Sequence, residues 1–226
     1  MAPKSRVGTA DFDTPAPAIQ RPWDARLGRW LVAPLKDSWV TPNHLTTVRL
    51  VVGLAGAAAL VPGTWGWSNI GAALVVLSNF LDHTDGELAR ISGRTSRFGH
   101  LYDLASDALV TVLLFVCLGL GVGATATDPM PLHLPAAALG AAAGIAIALI
   151  FYLRMQIEDI AGKAGTRQGS VAGFETEDVL YLLPLVTLSG ISEPFLVAAA
   201  IGAPAFAVLV VIDWLRVRAR RAGVRG

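Results

Sequence analysis

The sequence predicts an all-α, polytopic membrane protein with about six transmembrane helices, preceded by an N-terminal amphipathic helix at the membrane surface. Its 226 residues are 54% hydrophobic and 15% charged, with a mean hydropathy of +0.56, whereas soluble domains carry roughly 25% charged residues. A transmembrane helix needs roughly 20 apolar residues, so the length accommodates one compact domain of about six spans. The single cysteine, Cys117, lies in an apolar run and excludes an intramolecular disulfide framework.

Two segments precede the predicted spans. Residues 1–21 are rich in proline, alanine and polar residues without periodicity, lack the plan of a signal peptide, and are expected to be disordered. Residues 22–40 are expected to form an amphipathic helix, bent at Pro34. Its apolar positions recur at helical spacing between basic residues: Trp23, Leu27, Trp30, Leu31, Leu35 and Trp39, with Arg26, Arg29 and Lys36. This pattern favours a helix in the membrane interface; a helix packed on protein is the alternative.

The predicted transmembrane domain covers residues 41–226. Its six apolar segments lie at about 45–61, 67–90, 99–120, 134–153, 178–188 with flanking residues, and 194–214. The fifth segment has the shortest apolar run. Proline and glycine predict breaks at Pro62-Gly63, between Gly121 and Pro135, and near Gly190.

Basic residues predict the orientation of the spans, because Lys and Arg stay on the cytoplasmic side of a membrane. With the amino terminus inside, all 18 Lys and Arg residues fall on the cytoplasmic side or its edge, and the loops at about 62–66, 121–135 and 189–193 contain none. We therefore expect a multi-pass protein of the plasma (inner) membrane with both termini in the cytoplasm. A pI of about 8.0 and a terminal arginine cluster indicate a membrane-side anchor and no nucleic-acid partner.

Four aspartates interrupt the apolar pattern where the second predicted span ends and the third begins. Asp82 and Asp85 are three residues apart, and Asp103 and Asp107 are four apart, so each pair projects from one helix face. A carboxylate at the bilayer centre costs about 2.5 to 3.5 kcal/mol, so a compensating partner is expected. Two such faces together form a cage of oxygens suited to a hard divalent cation, above all Mg²⁺, which also relieves the repulsion between like charges.

The residues between the two pairs indicate a phosphate ligand. Gly86 and Ala89 leave one helix surface bare, and Gly99 clears the facing helix, so that a ligand can approach closely. Arg90 offers a planar fork for phosphate oxygens. The full pattern is Asp82, two residues, Asp85-Gly86, two residues, Ala89-Arg90, eight residues, Gly99, three residues, Asp103, three residues, Asp107. It resembles, at every specified position, the signature of the CDP-alcohol phosphotransferase (CDP-alcohol phosphatidyltransferase) family.

The resemblance implies an enzyme and assigns roles to its residues. Asp82, Asp85, Asp103 and Asp107 would bind Mg²⁺ or Mn²⁺, as two ions, and Asp107 would be the catalytic base for the incoming hydroxyl. The metal would neutralise the pyrophosphate of a CDP-linked donor and stabilise CMP as it leaves. The residues expected to contact the donor are Asn43, Thr46, Gly86, Ala89, Arg90, Ser96 and Gly99. The first two lie in the run Thr41-Pro42-Asn43-His44-Leu45-Thr46 and can equally be helix caps.

The predicted function is transfer of a phosphatidyl group from CDP-diacylglycerol to a hydroxyl acceptor in phospholipid synthesis, with release of CMP. Within the class, the alternative is transfer of a phospho-amino-alcohol from its CDP derivative to diacylglycerol. Outside it, the alternative is a small cation or proton transporter, because intramembrane carboxylates also mark transport routes. That alternative gives no role to the glycines or to Arg90, and the chain shows no internal repeat. Any single aspartate can also be a helix cap or a solvated charge.

The acceptor alcohol and the oligomeric state stay open. Six charged residues after the fourth apolar segment are candidate acceptor contacts: Arg154, Lys163, Arg167, Glu175, Glu177 and Asp178. The three cations suit a phosphorylated acceptor, whereas the three acidic residues suit an amino-alcohol or a neutral polyol; both groups can equally be solvated loop charges. The resemblance implies a homodimer. Gly140 and Gly144 form a small-xxx-small pair that permits close helix approach, between subunits or within one.

Overall fold

The computed structural model describes residues 30–126, 134–161 and 180–223, and the regular structure in these ranges is helical throughout. A 3₁₀ turn at Ala33–Leu35 is followed by six α-helices: α1 (Pro42–Leu60), α2 (Trp65–Ser92), α3 (Arg97–Thr125), α4 (Ala136–Ala161), α5 (Leu183–Leu188) and α6 (Ser192–Gly223). The predicted all-α class is confirmed.

Four of these helices are long and apolar enough to cross a membrane: α1, α3, α4 and α6 up to Arg221. The protein is therefore a multi-pass membrane protein by its helices, but the predicted count of six spans is not confirmed. The 28 residues of α2 extend for about 42 Å at 1.5 Å per residue, although its last turns are charged. The 6 residues of α5 are too few to cross, and the part of the predicted fifth span before residue 180 lies outside the described residues.

The helices continue beyond the apolar segments that predicted them. The break predicted between Gly121 and Pro135 is confirmed, since α3 ends at Thr125 and α4 begins at Ala136, but α3 stays helical through Gly121 and Gly123. A Cβ added at Gly121 would lie 2.1 Å from the carbonyl oxygen of Leu60, so this glycine allows close packing of α3 on the end of α1 and does not end the helix. The breaks predicted at Gly63 and Gly190 are confirmed, since their φ angles of 67° and 69° are conformations that glycine adopts readily.

The segment before α1 is helical over a shorter range than the sequence predicted. Within residues 30–40, helical structure ends at Leu35, in the 3₁₀ turn that contains Pro34, and the chain then bends toward α1. Trp30 and Trp39 are 72% and 82% exposed, while Val32 is buried, as expected for an element that rests on the protein with its tryptophans outward. The predicted tail (1–21) and residues 22–29 lie outside the described residues.

Close helix contacts within one subunit account for the glycines of α4. α1 packs against α2 and α3, α3 packs against α4, and α4 packs against α6. A Cβ at Gly140 would lie 2.0 Å from the carbonyl oxygen of Phe115 in α3, and one at Gly144 would lie 2.9 Å from Val112 Cα. The Gly140–Gly144 pair therefore joins two helices of the same chain, and this face is not available to a second subunit.

The turn between α2 and α3 has strong local signals. Gly93 ends α2 in the left-handed region, with φ 67°, as glycine commonly does after a helix. The Ser96 hydroxyl then caps α3 by accepting a hydrogen bond from the Gly99 N–H at 2.9 Å. Only residues 93–96 separate the two helices, and α1 packs against both of them. We call this pair of helices and its turn the α2–α3 hairpin; it carries all four aspartates.

Candidate functional site

The α2–α3 hairpin brings the four aspartates to matching levels. Asp85 precedes the end of α2 by seven residues and Asp103 follows the start of α3 by six, so both lie about 10 Å from the turn. Asp82 and Asp107 are each ten residues from it, at about 15 Å. Carboxylate oxygens of Asp82, Asp85 and Asp103 lie within 4.8 Å of one another. The structure thus brings the two predicted pairs together.

The aspartate cluster has a deep side and an open side. The side chain of Asp85 is 6% exposed and that of Asp82 is 28% exposed, whereas Asp103 and Asp107 on α3 are 38% and 40% exposed. A substrate that approaches from the open side therefore meets the α3 carboxylates first. Asp107 is therefore partly exposed on the open side of the cluster.

Arg49 of α1 lies among these carboxylates and was not singled out by the sequence analysis. Its Nη1 contacts Asp107 and lies 3.1 Å from Asp82 Oδ1, while its Nε lies 3.2 Å from Asp85 Oδ2. Its Nη2 donates to the Asp103 carboxylate and, at 3.2 Å, to the Asp103 carbonyl oxygen. One guanidinium therefore contacts all four aspartates.

Packing of α1 against the hairpin holds Arg49 in this position. The Ser78 hydroxyl of α2 donates a 2.8 Å hydrogen bond to the Arg49 carbonyl oxygen. One turn further along α1, a Cβ at Gly53 would lie 2.8 Å from Ser78 Oγ and 2.9 Å from Val110 Cγ1 of α3. The absent side chain at Gly53 thus allows α1 to approach both helices at the level of the aspartates.

A sequence signal for Arg49 did exist. An arginine with apolar neighbours inside a predicted span is costly unless it is paired, and such residues face the helix bundle or a polar cavity. When Arg49 is counted among the cytoplasmic basic residues, it is taken for a charge at the membrane edge and not for a residue of the site. It also follows Thr46 by three residues, on the same face of α1. That spacing predicts that both side chains point toward one site.

The start of α1 also reaches the aspartates. Thr46 Oγ1 donates a 2.7 Å hydrogen bond to Asp85 Oδ2, and Thr46 is itself buried. Asn43 faces the first turn of α3, because a Cβ at Gly99 would lie 3.0 Å from Asn43 Oδ1. The two α1 positions carried over from the family resemblance thus lie beside the hairpin residues of the signature, as a donor-binding role requires.

The signature residues on α2 differ in their surroundings. A Cβ at Gly86 would meet no other described atom within 4 Å, so open space lies beside Asp85. Ala89 is half-buried. Arg90 is 70% exposed on its side chain and binds the Glu87 carboxylate of the same helix. It is therefore oriented by a neighbour on α2 and presents its remaining donors to solvent.

The predicted acceptor contacts are only partly described. Arg154 lies near the end of α4, with its guanidinium carbon 5.5 Å from the ring centroid of Phe206 on α6, within the range of a cation–π contact. The other five residues lie outside the described residues: Lys163, Arg167, Glu175, Glu177 and Asp178. The structure therefore assigns no acceptor pocket to them.

The donor set suits a divalent cation of the Mg²⁺ or Mn²⁺ type. The three grouped aspartates offer oxygen atoms only, which is the preference of hard cations. Ligands on opposite sides of an octahedral Mg²⁺ are separated by about 4.2 Å. The observed separations of up to 4.8 Å would need only a small contraction. Asp82, Asp85 and Asp103 thus fit such an ion. Asp107 is not one of these three, but it contacts the same guanidinium, that of Arg49.

The chain is similar to known proteins both in sequence and in structure. The family model for CDP-alcohol phosphatidyltransferases matches residues 39–214, well over half of the chain. Cholinephosphotransferase 1 of Danio rerio is 36% identical over 98 residues, which are 40% of this chain and 25% of that relative. The chain thus spans about a quarter of the curated relative that it matches.

One solved structure is similar in fold over a larger share of the chain. It is that of Mycobacterium tuberculosis phosphatidylinositol phosphate synthase with CDP-DAG bound, with a TM-score of 0.57 and 23% identity. The likeness covers 84% of this chain and 91% of that one, so the two share an architecture along nearly their whole lengths. With the family match extending from the residues before α1 into α6, this chain belongs to the CDP-alcohol phosphatidyltransferase family of enzymes.

Proposed function

We propose that this protein transfers a phosphatidyl group from CDP-diacylglycerol to a hydroxyl acceptor in phospholipid synthesis, with release of CMP, and that it depends on Mg²⁺ or Mn²⁺. One observation carries the proposal: the four aspartates of the family signature converge between α2 and α3, where three of them offer oxygens within 4.8 Å of one another. Bound cations at Asp82, Asp85, Asp103 and Asp107, two in number, would neutralise the donor's pyrophosphate.

The proposed catalytic base is Asp107. Its carboxylate would accept the proton of the acceptor hydroxyl, and its 40% exposure leaves it accessible on the open side of the cluster. A carboxylate is a weak base for an alcohol, so its share of the rate is about 10² to 10⁴-fold. Positioning of the two substrates and stabilisation of charge supply the remainder.

The proposed donor contacts surround the open space at Gly86. A bare helix surface there lets a phosphate approach the α2 backbone, while Arg90 has donors free of Glu87 for phosphate oxygens. The remaining contacts of this set are Asn43, Thr46, Ala89, Ser96 and Gly99. They lie on α1, on α2, in the hairpin turn and in the first turn of α3, so one nucleotide would contact both arms of the hairpin and the start of α1.

A second candidate function is transfer of a phospho-amino-alcohol to diacylglycerol. The observation that favours it is the 36% identity with a cholinephosphotransferase. We prefer phosphatidyl transfer because the family description names that reaction, whereas the cholinephosphotransferase match covers a quarter of the relative. The transporter alternative is not retained, because the chain belongs to a family of enzymes.

We further propose that the site faces the cytoplasm of the plasma (inner) membrane and that the protein is a homodimer. The exposed Arg94 and Arg97 lie in and beside the α2–α3 turn, and basic residues favour the cytoplasmic side. A soluble nucleotide would then reach the aspartates from the cytosol while acyl chains stay in the bilayer. Because Gly140 and Gly144 pack internally, a dimer would use another surface.

The deciding experiment is a transferase assay with two donors. Purified protein is incubated with CDP-diacylglycerol and a panel of radiolabelled alcohols, or with CDP-choline and diacylglycerol, and lipid products are separated by chromatography. Phosphatidyl transfer predicts product and CMP release with the first donor only, restored by Mg²⁺ or Mn²⁺ after treatment with EDTA. Product from CDP-choline alone would establish the second function. Activity that survives complete chelation would contradict the metal requirement.

A further inference from the structure

Within the described ranges, Arg49 is the only lysine or arginine that is buried. It is 2% exposed, while the other lysine and arginine side chains in residues 30–126, 134–161 and 180–221 are half-buried or exposed. Its guanidinium contacts the carboxylates of Asp82, Asp85, Asp103 and Asp107. Each aspartate pair comes from a different helix, so this single cation of α1 connects all three helices at the site.

Electrostatics gives Arg49 a role in the absence of metal. Four neighbouring carboxylates repel one another, and an opposite charge within about 4 to 6 Å favours their ionised form. The guanidinium supplies that charge in a planar array of donors. One positive charge does not balance four negative ones, however, so the cluster keeps a net negative charge that attracts a divalent cation.

The guanidinium and a divalent cation would interact with the same carboxylates. Arg49 contacts all three of the aspartates whose oxygens are grouped closely enough to ligate one ion. An ion bound by this group would therefore coordinate carboxylates that now pair with Arg49. Arg49 would therefore compete with an ion that binds there.

We propose that Arg49 is a positioning residue that acts as a built-in counter-cation: it holds the four aspartates together before metal binds and cedes oxygens to the metal as it enters. This role rests on the metal site of the proposed function and deepens it. Loss of the Arg49 charge then has two opposite effects. The metal-free protein becomes less stable, because the carboxylates repel without compensation, and the metal binds more tightly, because a competitor and a repelling charge are gone.

The test compares four full-length proteins in detergent: wild type, Arg49→Gln, Arg49→Lys and the control Arg94→Gln. Arg94 donates to the carbonyl oxygens of Ser38 and Val40 at 3.1 and 3.3 Å, so its loss removes an arginine beside the hairpin turn and leaves the carboxylate contacts intact. Thermal midpoints are measured in EDTA and in Mn²⁺. Mn²⁺ affinity is measured from the electron paramagnetic resonance signal of the free ion.

The expected result is a larger Mn²⁺-induced rise of the midpoint in Arg49→Gln than in wild type, since stabilisation by a ligand grows with its affinity. Mn²⁺ affinity should rise about tenfold or more, because charges only a few ångströms apart interact strongly in a partly buried site. The Mn²⁺ affinity of Arg49→Lys should lie between those of wild type and Arg49→Gln, since lysine keeps the charge but not the planar array of donors. Arg94→Gln should match wild type in affinity.

Two outcomes overturn the proposal. If Arg49→Gln loses stability equally with and without Mn²⁺ at unchanged affinity, Arg49 is a structural residue only, and the metal site of the proposed function stands. If wild type binds no Mn²⁺, the metal site fails and the role of Arg49 fails with it. Should Arg49→Gln not fold even in Mn²⁺, the affinity of Arg49→Lys decides: a value equal to or weaker than wild type refutes the proposed competition.

Discussion

Thr46 Oγ1 donates a 2.7 Å hydrogen bond to Asp85 Oδ2, and this bond joins the start of α1 to the most buried of the four aspartates. Thr46 and Arg49 are one turn apart on α1, so the same face of that helix supplies a hydroxyl and a guanidinium to one carboxylate oxygen. The site is therefore assembled from three helices, although the family signature lies on two of them.

Replacement of Thr46 by valine is expected to destabilise the metal-free protein by about 1.5 to 3 kcal/mol, the usual range for a hydrogen bond to a charged group. Valine keeps the shape of the side chain and removes the donor, so a buried carboxylate oxygen loses one partner. The thermal midpoint in EDTA measures the effect. Thr46→Ser is the matched control because it keeps the hydroxyl; equal losses in both variants would contradict the assigned role of the bond.

Replacement of Asp107 by asparagine is expected to lower kcat by about 10² to 10⁴-fold, the range for loss of a general base. The measurement is transferase turnover with saturating donor, acceptor and Mg²⁺. Asp213→Asn is the control, because Asp213 is exposed on α6 and its carboxylate lies 3.4 Å from exposed Arg216. Turnover of Asp107→Asn near the wild-type value would refute the base.

Alanine at Gly86 is expected to leave stability unchanged or to increase it by up to about 1 kcal/mol, because glycine is the weaker helix former. Open space surrounds this position, yet the added methyl group would occupy the surface proposed for the donor's phosphates. We expect KM for the CDP donor to rise while the thermal midpoint holds. Gly202→Ala on α6, where a Cβ likewise meets no described atom within 4 Å, should change neither KM nor turnover.

Alanine at Gly140 is expected to destabilise the protein by about 1 to 3 kcal/mol, as overpacking does elsewhere. The new methyl group would meet the Phe115 carbonyl oxygen of α3 at 2.0 Å, and a backbone atom cannot rotate away. Thermal unfolding and light scattering are measured on the same sample, with Gly202→Ala as the control. A variant that changes its oligomeric state at an unaltered midpoint would show that this face joins subunits instead.

The proposed orientation predicts opposite labelling of two introduced cysteines in a Cys117→Ala background, which removes the native thiol. Arg97→Cys lies at the start of α3, at the end of the bundle that carries the aspartates, and Thr64→Cys lies in the loop at the other end of α2. Both positions are exposed. In spheroplasts, a membrane-impermeant maleimide should label Thr64→Cys and not Arg97→Cys. In inverted membrane vesicles it should label Arg97→Cys and not Thr64→Cys. The reverse pattern would invert the proposed topology.

Much of the fold was predictable because its signals are local. Gly63, Gly93 and Gly190 adopt positive φ, and two of these turns were predicted from glycine and proline alone. The break predicted between Gly121 and Pro135 is present, because α3 ends at Thr125 and α4 begins at Ala136. Local sequence did not show that Gly121 itself stays helical and serves close packing, since a Cβ there would meet the Leu60 carbonyl oxygen. Gly140 is a second example. A small residue in a helix indicates that another helix packs closely there, but it does not indicate which helix.

The sequence by itself determined the helical class, the membrane character and the two faces that carry aspartates, because composition and helical spacing are properties of each segment alone. Only the tertiary structure decided what compensates those aspartates. Arg49 reaches them across 33 residues of sequence from Asp82, and the contact exists because Gly53 and Ser78 let α1 lie against the hairpin. Apolar patterning places a helix in the bilayer, but the packing of side chains decides which of its faces meets a neighbour.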